Sequence, residues 1–173
     1  IVFDDLGIDK SRTRRAIALP GPMSMSFLTY AKRAAEQIGA AREAGHEIWM
    51  HVPMEPSSRS IDPGPKVLLR EASPEELGSS LEWSLDRFEG YVGINNHMGS
   101  RFTTYLPGME VLMAELNRRG LAFLDSVTSG RSMGRKAAVA AGVDFAIRNI
   151  FIDHQNDDAV IKQQLAKIEA LAS

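Results

Sequence analysis

The sequence predicts an α/β fold in which parallel strands carry helices on the outside. Short apolar segments of strand length alternate six times with helical segments along the 173 residues. This alternation is typical of a mostly parallel sheet. Four of the predicted helices are closed by a glycine, the residue that ends helices most readily. Two architectures fit the pattern: an open doubly wound sheet, and a closed or partly closed barrel.

Terminator and capping residues give the boundaries of each element. Pro20 stops the first helix and Gly45 closes the second, while Ser73-Pro74-Glu75-Glu76 combines a cap, a first-turn proline and a glutamate at the start of the third. The predicted strands are Ile1–Phe3, Met23–Leu28, Glu47–Met50, Tyr91–Ile94, Leu121–Leu124 and Phe145–Ile152. The predicted helices are Ser11–Leu19, Lys32–Ala44, Ser73–Phe88, Met109–Arg119, Ser132–Ala141 and Asp158–Leu171.

One connection is longer than the others. The segment Pro53–Pro65 is rich in proline, serine and glycine and contains no apolar period of its own. Connections of this length are uncommon in compact domains and are frequently functional. We therefore expect this loop to contribute to a site.

Composition excludes several classes of function. Lys and Arg number 20 against 22 Asp and Glu, for a net charge of -2, which argues against nucleic-acid binding. The absence of cysteine excludes disulfide scaffolds, cysteine-zinc sites, iron–sulfur clusters and thiol nucleophiles. No apolar run approaches the roughly 20 residues that a membrane-spanning helix requires. The length predicts one domain over residues 1–173. The sequence begins inside an apolar run and stops inside a helical pattern, so we expect truncation at both ends.

Polar residues follow five of the six predicted strands. In parallel α/β folds the carboxyl ends of the strands form one rim, and sites lie there. Taken singly, these residues have structural explanations, such as helix capping for an Asp pair and hydrogen bonding for a lone histidine. Their convergence on one rim favours a metal-dependent site. The strand-end residues are Asp4, Asp5, His51, Asn95, Asn96, His97, Asp125, Ser126, Asp153 and His154, with Glu55 four residues after His51.

These residue types suit a divalent metal. One carboxylate and two neutral imidazoles form the three-ligand arrangement of catalytic zinc, which leaves a position open for water. Side chains alternate in direction along a strand, so one of Asp4 and Asp5 can bind the metal while the other acts as a base. The remaining histidine, His46, follows a helix, and we expect it to cap that helix.

Four segments resemble one protein family. Ile1 to Gly7 is similar to the opening Asp-Asp-Gly motif of polysaccharide deacetylases, with Leu6 inserted before the glycine. Gly45 to Pro56 is similar to their motif Gly-His-Glu-(Ile/Val)-x-x-His-x-x-x-His-Pro, with Glu55 replacing the last histidine. With Val92–Thr103 and Phe123–Ser126, these segments identify the sequence as a member of the divergent polysaccharide deacetylase family.

The resemblance implies an incomplete (β/α) barrel that uses one metal ion, most simply zinc, to hydrolyse N-acetyl groups on amino sugars. Asp5 would be the metal carboxylate, Asp4 the general base and His51 a metal ligand. The third ligand is either Glu55, which occupies the family position, or His97 at a neighbouring strand end. We favour His97 because it restores the His-His-Asp set, which leaves Glu55 to face the substrate or to orient a ligand.

The resemblance also implies a general acid and a set of substrate-binding residues. The acid would be a late histidine, and His154 is the one in this sequence; relatives carry a further Gly-His-Pro segment beyond the last helix, which is the alternative source. The residues expected to contact substrate are Glu55, Asn95, Asn96, Arg101 and Asp125.

Two functions from different classes remain open from the sequence. The first is a deacetylase acting on acetylated amino sugars of the cell envelope, which would place the protein in the periplasm or outside the cell. The second is a carbohydrate- or peptidoglycan-binding protein that keeps the barrel without catalysis, motivated by Glu55 and the missing late motif. A metal hydrolase acting on an ester or peptide bond is a third possibility, because a fold does not fix its substrate.

Overall fold

The computed structural model describes residues 1–172 and contains one sheet of six parallel strands. The strands, paired in chain order, are Val2–Leu6 (β1), Ser24–Leu28 (β2), Glu47–Met54 (β3), Gly93–Met98 (β4), Ala122–Asp125 (β5) and Phe145–Ile147 (β6). The helices are Lys10–Ile17 (α1), Ala34–Glu43 (α2), Pro74–Leu85 (α3), Leu106–Arg119 (α4), Gly134–Ala141 (α5) and Asp158–Ala172 (α6), with a 3₁₀ turn at Phe102–Thr104. The predicted parallel α/β architecture is confirmed, as an open sheet consistent with an incomplete barrel.

The helix starts follow the capping chemistry of the sequence. Asp9 accepts hydrogen bonds from the backbone N–H groups of Ser11 and Arg12 at 2.9 and 3.0 Å, so α1 begins at Lys10, just before the predicted start. The predicted capping box at Ser73 and Glu76 forms at the start of α3. Within residues 1–172, no helix combines the length and apolar character needed to cross a membrane.

Four strands end three or more residues away from their predicted ends, and the first of them, β1, continues to Leu6 instead of Phe3. β3 and β4 continue to Met54 and Met98, because they remain paired along their whole length. β6 ends at Ile147, so the predicted extension to Ile152 is wrong. Its partner β5 ends at Asp125, and the Arg148 side chain instead donates to the backbone carbonyls of Ser126 and Val127.

The apolar core lies between the outer face of the sheet and the helices. Phe27, Met50, Ile94 and Phe123 are fully buried on that face. One cluster packs β1 and β2 against α1 and α2, and a larger one packs β3 to β5 against α3, α4 and α5. The helices therefore cover the outer face, and the inner face carries the polar side chains His51, Asn95 and His97 above Trp49.

The inner face is closed at its amino end by a tryptophan. The Trp49 indole crosses the backbone of Gly93 on β4, and its Nε1 donates to Glu47 Oε2 at 2.5 Å. A Cβ on Gly93 would lie 2.6 Å from the Trp49 ring and 2.5 Å from the carbonyl oxygen of Ala122. Glycine is therefore required here to let the indole fill the interior beneath the polar layer.

We expect Gly93→Ala to destabilise the protein by about 1–3 kcal/mol, because the added methyl must displace backbone or indole in a packed interior. Urea unfolding measures the change. Gly39→Ala, inside α2 with open space around the added Cβ, is the matched control and should be neutral or stabilising. Equal stability of the Gly93→Ala variant and the parent would contradict this packing.

Candidate metal centre

Three side chains from three strands meet on the inner face of the sheet. Asp5 Oδ1 lies 2.9 Å from His97 Nδ1 and 3.3 Å from His51 Nε2. The two imidazole nitrogens are 3.2 Å apart. Among the described residues, these three form a group whose ligand atoms could hold one metal ion. The structure thus brings together the three residues that the sequence favoured as ligands.

The register of β3 and β4 places the two histidines side by side. Pro53 pairs with His97, and His51 pairs with Asn95, so His51 and His97 lie on neighbouring strands two positions out of step. The sequence predicted both histidines just beyond the ends of their strands, but both lie within β3 and β4, which are longer than predicted. His51 is paired on both sides, with Leu28 of β2 and Asn95 of β4, whereas His97 is paired with Pro53 of β3.

Asp5 reaches the histidines because β1 carries a bulge. The pairing of β1 with β2 shifts between Phe3 and Leu6, and Asp5 adopts a left-handed φ of 59°. The shift breaks the alternation of side chains, so both carboxylates of the pair lie beside one imidazole. Asp4 Oδ1 is 3.9 Å from His51 Nδ1, while Asp5 faces Nε2. The two carboxylates thus face opposite nitrogens of the ring, and the division of the pair into one metal ligand and one base stays a prediction.

The spacing of the donor atoms fits a tetrahedral metal. Zinc bonds of about 2.0–2.1 Å at tetrahedral angles place donor atoms about 3.3 Å apart. The three separations here, 2.9, 3.2 and 3.3 Å, are close to that value. The donor chemistry, two imidazole nitrogens and a carboxylate oxygen, also fits zinc.

Negative charge surrounds the His51 ring, which is buried. Contacts with His51 and His97 hold the pKa of the Asp5 carboxyl well below its usual range, although partial burial opposes them. Burial lowers the pKa of His51, but the charge of Asp4 and the contact with Asp5 outweigh burial, so this pKa is raised on balance. The excess of negative charge therefore favours a cation at this position.

A buried amide links the group to Asp4. The Asn95 side chain is fully buried and donates from Nδ2 to Asp4 Oδ1 at 2.7 Å. Its Oδ1 lies 2.8 Å from His51 Nδ1 and accepts from the Ser26 hydroxyl at 2.5 Å. Partners of this kind behind a metal-binding histidine fix the orientation of its ring.

Glu55 and Arg101 form an ion pair beside the group. Glu55 Oε1 lies 3.0 Å from Arg101 Nη1, and Glu55 Oε2 accepts from the backbone N–H of Arg70 at 2.8 Å. Arg101 Nη2 contacts the exposed Glu71 at 2.6 Å. Glu55 therefore anchors the long β3–α3 loop and is not part of the Asp5–His51–His97 group. A contact of Glu55 or Arg101 with substrate stays a prediction.

Asn96 and Asp125 are buried and hold the loop after β5. Asn96 Oδ1 accepts from the backbone N–H of Ser126 at 2.8 Å, and its Nδ2 donates to the carbonyl of Met98 at 2.7 Å. Asp125 accepts from Val127 N–H and from the Ser132 hydroxyl. Both residues shape the rim, and their predicted contact with substrate remains untested, as it does for Asn95.

The other two histidines lie outside the group. His154 is exposed on the segment after β6, and its described contacts are with Phe151. His46 is buried, where its Nδ1 accepts from Met23 N–H and its Nε2 lies 2.9 Å from the carbonyl of Ile17. It therefore joins the end of α1 to the start of β2.

Two residues near the group were missed by sequence reasoning. Ser26 donates to Asn95. The pKa of the Tyr30 phenol is raised, mainly by burial and also by the negative charge of nearby Asp5. The Tyr30 ring packs against Gly64 of the β3–α3 loop. The alternation of Ser26, Leu28 and Tyr30 along and just beyond β2 was the available signal, since these positions share one face.

Comparison with protein families gives a match along the whole chain. The family model described as "Divergent polysaccharide deacetylase" covers residues 1–173. Curated relatives include the uncharacterized protein YibQ of Escherichia coli, 36% identical over 173 residues, and an uncharacterized protein of Haemophilus influenzae, 32% identical over 165 residues. These matches cover 99% and 95% of this chain but 54% and 58% of the relatives, so the chain spans little more than half their length.

A solved structure shares the fold. The crystal structure of an uncharacterized protein from Agrobacterium tumefaciens superposes with a TM-score of 0.94 at 28% sequence identity. The match covers 99% of this chain and 70% of that one. The six-stranded architecture is therefore found in an experimental structure of a similar protein.

We expect metal-free protein to bind one Zn²⁺ or Co²⁺ per chain, and His51→Ala to abolish that binding, because the variant removes a buried donor from a three-donor set. Calorimetric titration measures both. His154→Ala is the matched control and should bind one ion like the parent, since His154 lies outside the group. Equal binding by His51→Ala and the parent would contradict the assignment.

Proposed function

This chain belongs to the divergent polysaccharide deacetylase family, and on that premise we propose that it is a metal-dependent hydrolase removing N-acetyl groups from amino-sugar glycans. It has the fold of that family. The observation that carries the proposal is that Asp5 and His97 lie at Nε2 of His51, while Asp4 lies near Nδ1 of the same ring. A proton acceptor beside a metal site is what hydrolysis of an amide by water requires.

The donor group defines where the reacting carbonyl would lie. When bound to Asp5, His51 and His97, a divalent ion such as Zn²⁺ supplies Lewis-acid polarisation of the acetyl carbonyl and a water of lowered pKa. We choose zinc because two of the three donors are imidazoles. The partly exposed face of Asp5 leaves the group open to solvent, so a substrate could approach.

In this proposal Asp4 acts as the general base. Its Oδ1 is held by Asn95, and its side chain is 39% exposed, so the second oxygen can accept a proton from the attacking water. Forming the bond between water and the acetyl carbon places negative charge on the carbonyl oxygen. Breaking the carbon–nitrogen bond then releases acetate and the amine, which must gain a proton.

We propose that His154, the late histidine that the family resemblance implies, supplies the proton for the departing amine. Its exposure keeps the imidazole accessible to solvent protons. The segment that carries it follows β6 and so starts from the same rim as the donor group.

The glycan would lie along the rim between the β3–α3 loop and the segment after β4. Arg101, whose Nη1 and Nη2 contact Glu55 and Glu71, would donate its remaining N–H groups to sugar hydroxyl groups. A cell-envelope glycan as substrate would place the protein outside the cytoplasm, in the periplasm or beyond the cell. Both the substrate and the location rest on the family.

A second candidate is a carbohydrate-binding protein that keeps the barrel without catalysis. The observation in its favour is the position of His154, whose described contacts lie with Phe151 rather than with the donor group. In this case Arg101 and the rim would hold a glycan without breaking a bond.

We expect Asp4→Asn to lower acetate release from N-acetylglucosamine oligomers by about 100-fold or more, because the amide cannot accept the proton from water. Metal binding should persist, since Asp4 is not among the three donors. Acetate release and metal content, measured on the same zinc-loaded samples, separate the two effects.

The matched control for that substitution is Asp9→Asn. It makes the same change at an exposed helix cap, where asparagine caps equally well, and should leave turnover unchanged. Full turnover by Asp4→Asn would refute the role of Asp4. Glycan binding without acetate release by the zinc-loaded parent would favour the second candidate.

A further inference from the structure

The buried amide of Asn95 joins the two halves of the site through opposite ends of one side chain. Its Nδ2 donates to Asp4 Oδ1 at 2.7 Å, and its Oδ1 faces His51 Nδ1 at 2.8 Å. The side chain has no exposed surface, so these contacts are sheltered from water. Such contacts are electrostatically stronger than at a surface.

The chemistry of the partners fixes which end of the amide is which. An ionised carboxylate accepts hydrogen bonds and donates none, so the group facing Asp4 must be the NH₂. The carbonyl oxygen then faces His51 and Ser26, and both must donate to it. The hydrogen of a neutral His51 therefore lies on Nδ1, and the lone pair on Nε2 is directed toward Asp5 and His97.

The same amide separates Asp4 from the imidazole. Asp4 Oδ1 lies 3.9 Å from His51 Nδ1, beyond hydrogen-bond distance. Each of these two atoms forms a hydrogen bond with the Asn95 side chain instead. Without the amide, the carboxylate could close on Nδ1–H directly. It would then be drawn away from the open side of the site.

We propose that Asn95 is a positioning residue with two roles. Its amide oxygen fixes the His51 tautomer that leaves Nε2 free as a metal ligand, and its NH₂ group keeps Asp4 from forming a hydrogen bond with His51 Nδ1. The part that concerns His51 is independent of the reaction. The part that concerns Asp4 rests on the proposed deacetylase function.

The adjacent amide shows that burial alone does not create this role. Asn96 is also buried, but it points to the other side of β4 and bonds to Ser126 N–H and the carbonyl of Met98. Its substitution would alter the loop after β5 and leave the His51 tautomer as it is. Of this asparagine pair, Asn95 is the member that contacts the site.

The first test is the tautomer of His51 in the metal-free parent, read from ring ¹⁵N NMR shifts at pH 9, with the signal assigned by its loss in His51→Ala. We expect the hydrogen on Nδ1 and none on Nε2. A ring with the hydrogen on Nε2 would overturn the proposal, and this measurement needs no Asn95 variant to fold.

The second test compares two substitutions that keep the number and branching of the side-chain heavy atoms of Asn95. Asn95→Leu removes both contacts and should weaken Zn²⁺ binding by about 10–100-fold, the usual loss for a residue that orients a metal ligand. Asn95→Asp keeps an acceptor against Nδ1–H, so it should bind Zn²⁺ more tightly than Asn95→Leu does. Asn117→Leu, on the exposed face of α4, is the matched control for the leucine change.

The outcomes separate this inference from the proposed function. Unchanged Zn²⁺ affinity in folded Asn95→Leu would overturn the role toward His51, whether or not the parent releases acetate. Asn95→Asp, which loses the donor to Asp4, should reduce kcat by about tenfold or more while metal affinity is kept. Full kcat in that variant would overturn the role toward Asp4, and a parent without turnover would refute the proposed function while leaving the His51 results intact.

Discussion

The constraint on which the site depends is the burial of one imidazole with a different set of partners on each nitrogen. His51 is 3% exposed, with Asn95 at Nδ1 and Asp5 and His97 at Nε2. A polar ring buried this deeply is costly unless its nitrogens are satisfied. The bulge of β1 and the register of β4 therefore matter for the chemistry, because they deliver those partners.

The fold separates the polar layer from the apolar core by using the two faces of the sheet. Along β3, Met50, Val52 and Met54 pack outward under the helices, while Trp49 and His51 belong to the inner face. The Trp49 indole packs over Gly93 below this layer, and the exposed Asp4 and Asp5 side chains open the layer to solvent. An acidic, one-sided opening of this kind suits a cation and a ligand that approaches from the rim.

Periodicity and terminators were sufficient to predict the six parallel strands and the helices between them, because each element obeys its local rule. The same rules predicted that Asp5, His51 and His97 share a rim. They failed at the bulge, where a left-handed Asp5 breaks the alternation, since no local pattern in the residues Ile1 to Gly7 announces a register shift. They also could not tell Asn95 from Asn96, because which asparagine faces inward depends on the pairing of β4 with β3.

The central claim is that Asp5, His51 and His97 hold one metal ion through the atoms that face each other here. Anomalous diffraction from crystals grown with Zn²⁺ tests it most directly. We expect one strong peak at about 2.0–2.2 Å from Asp5 Oδ1, His51 Nε2 and His97 Nδ1. A peak on the Glu55–Glu71 side of the rim, or no peak at the three donors with zinc in excess, would contradict the account.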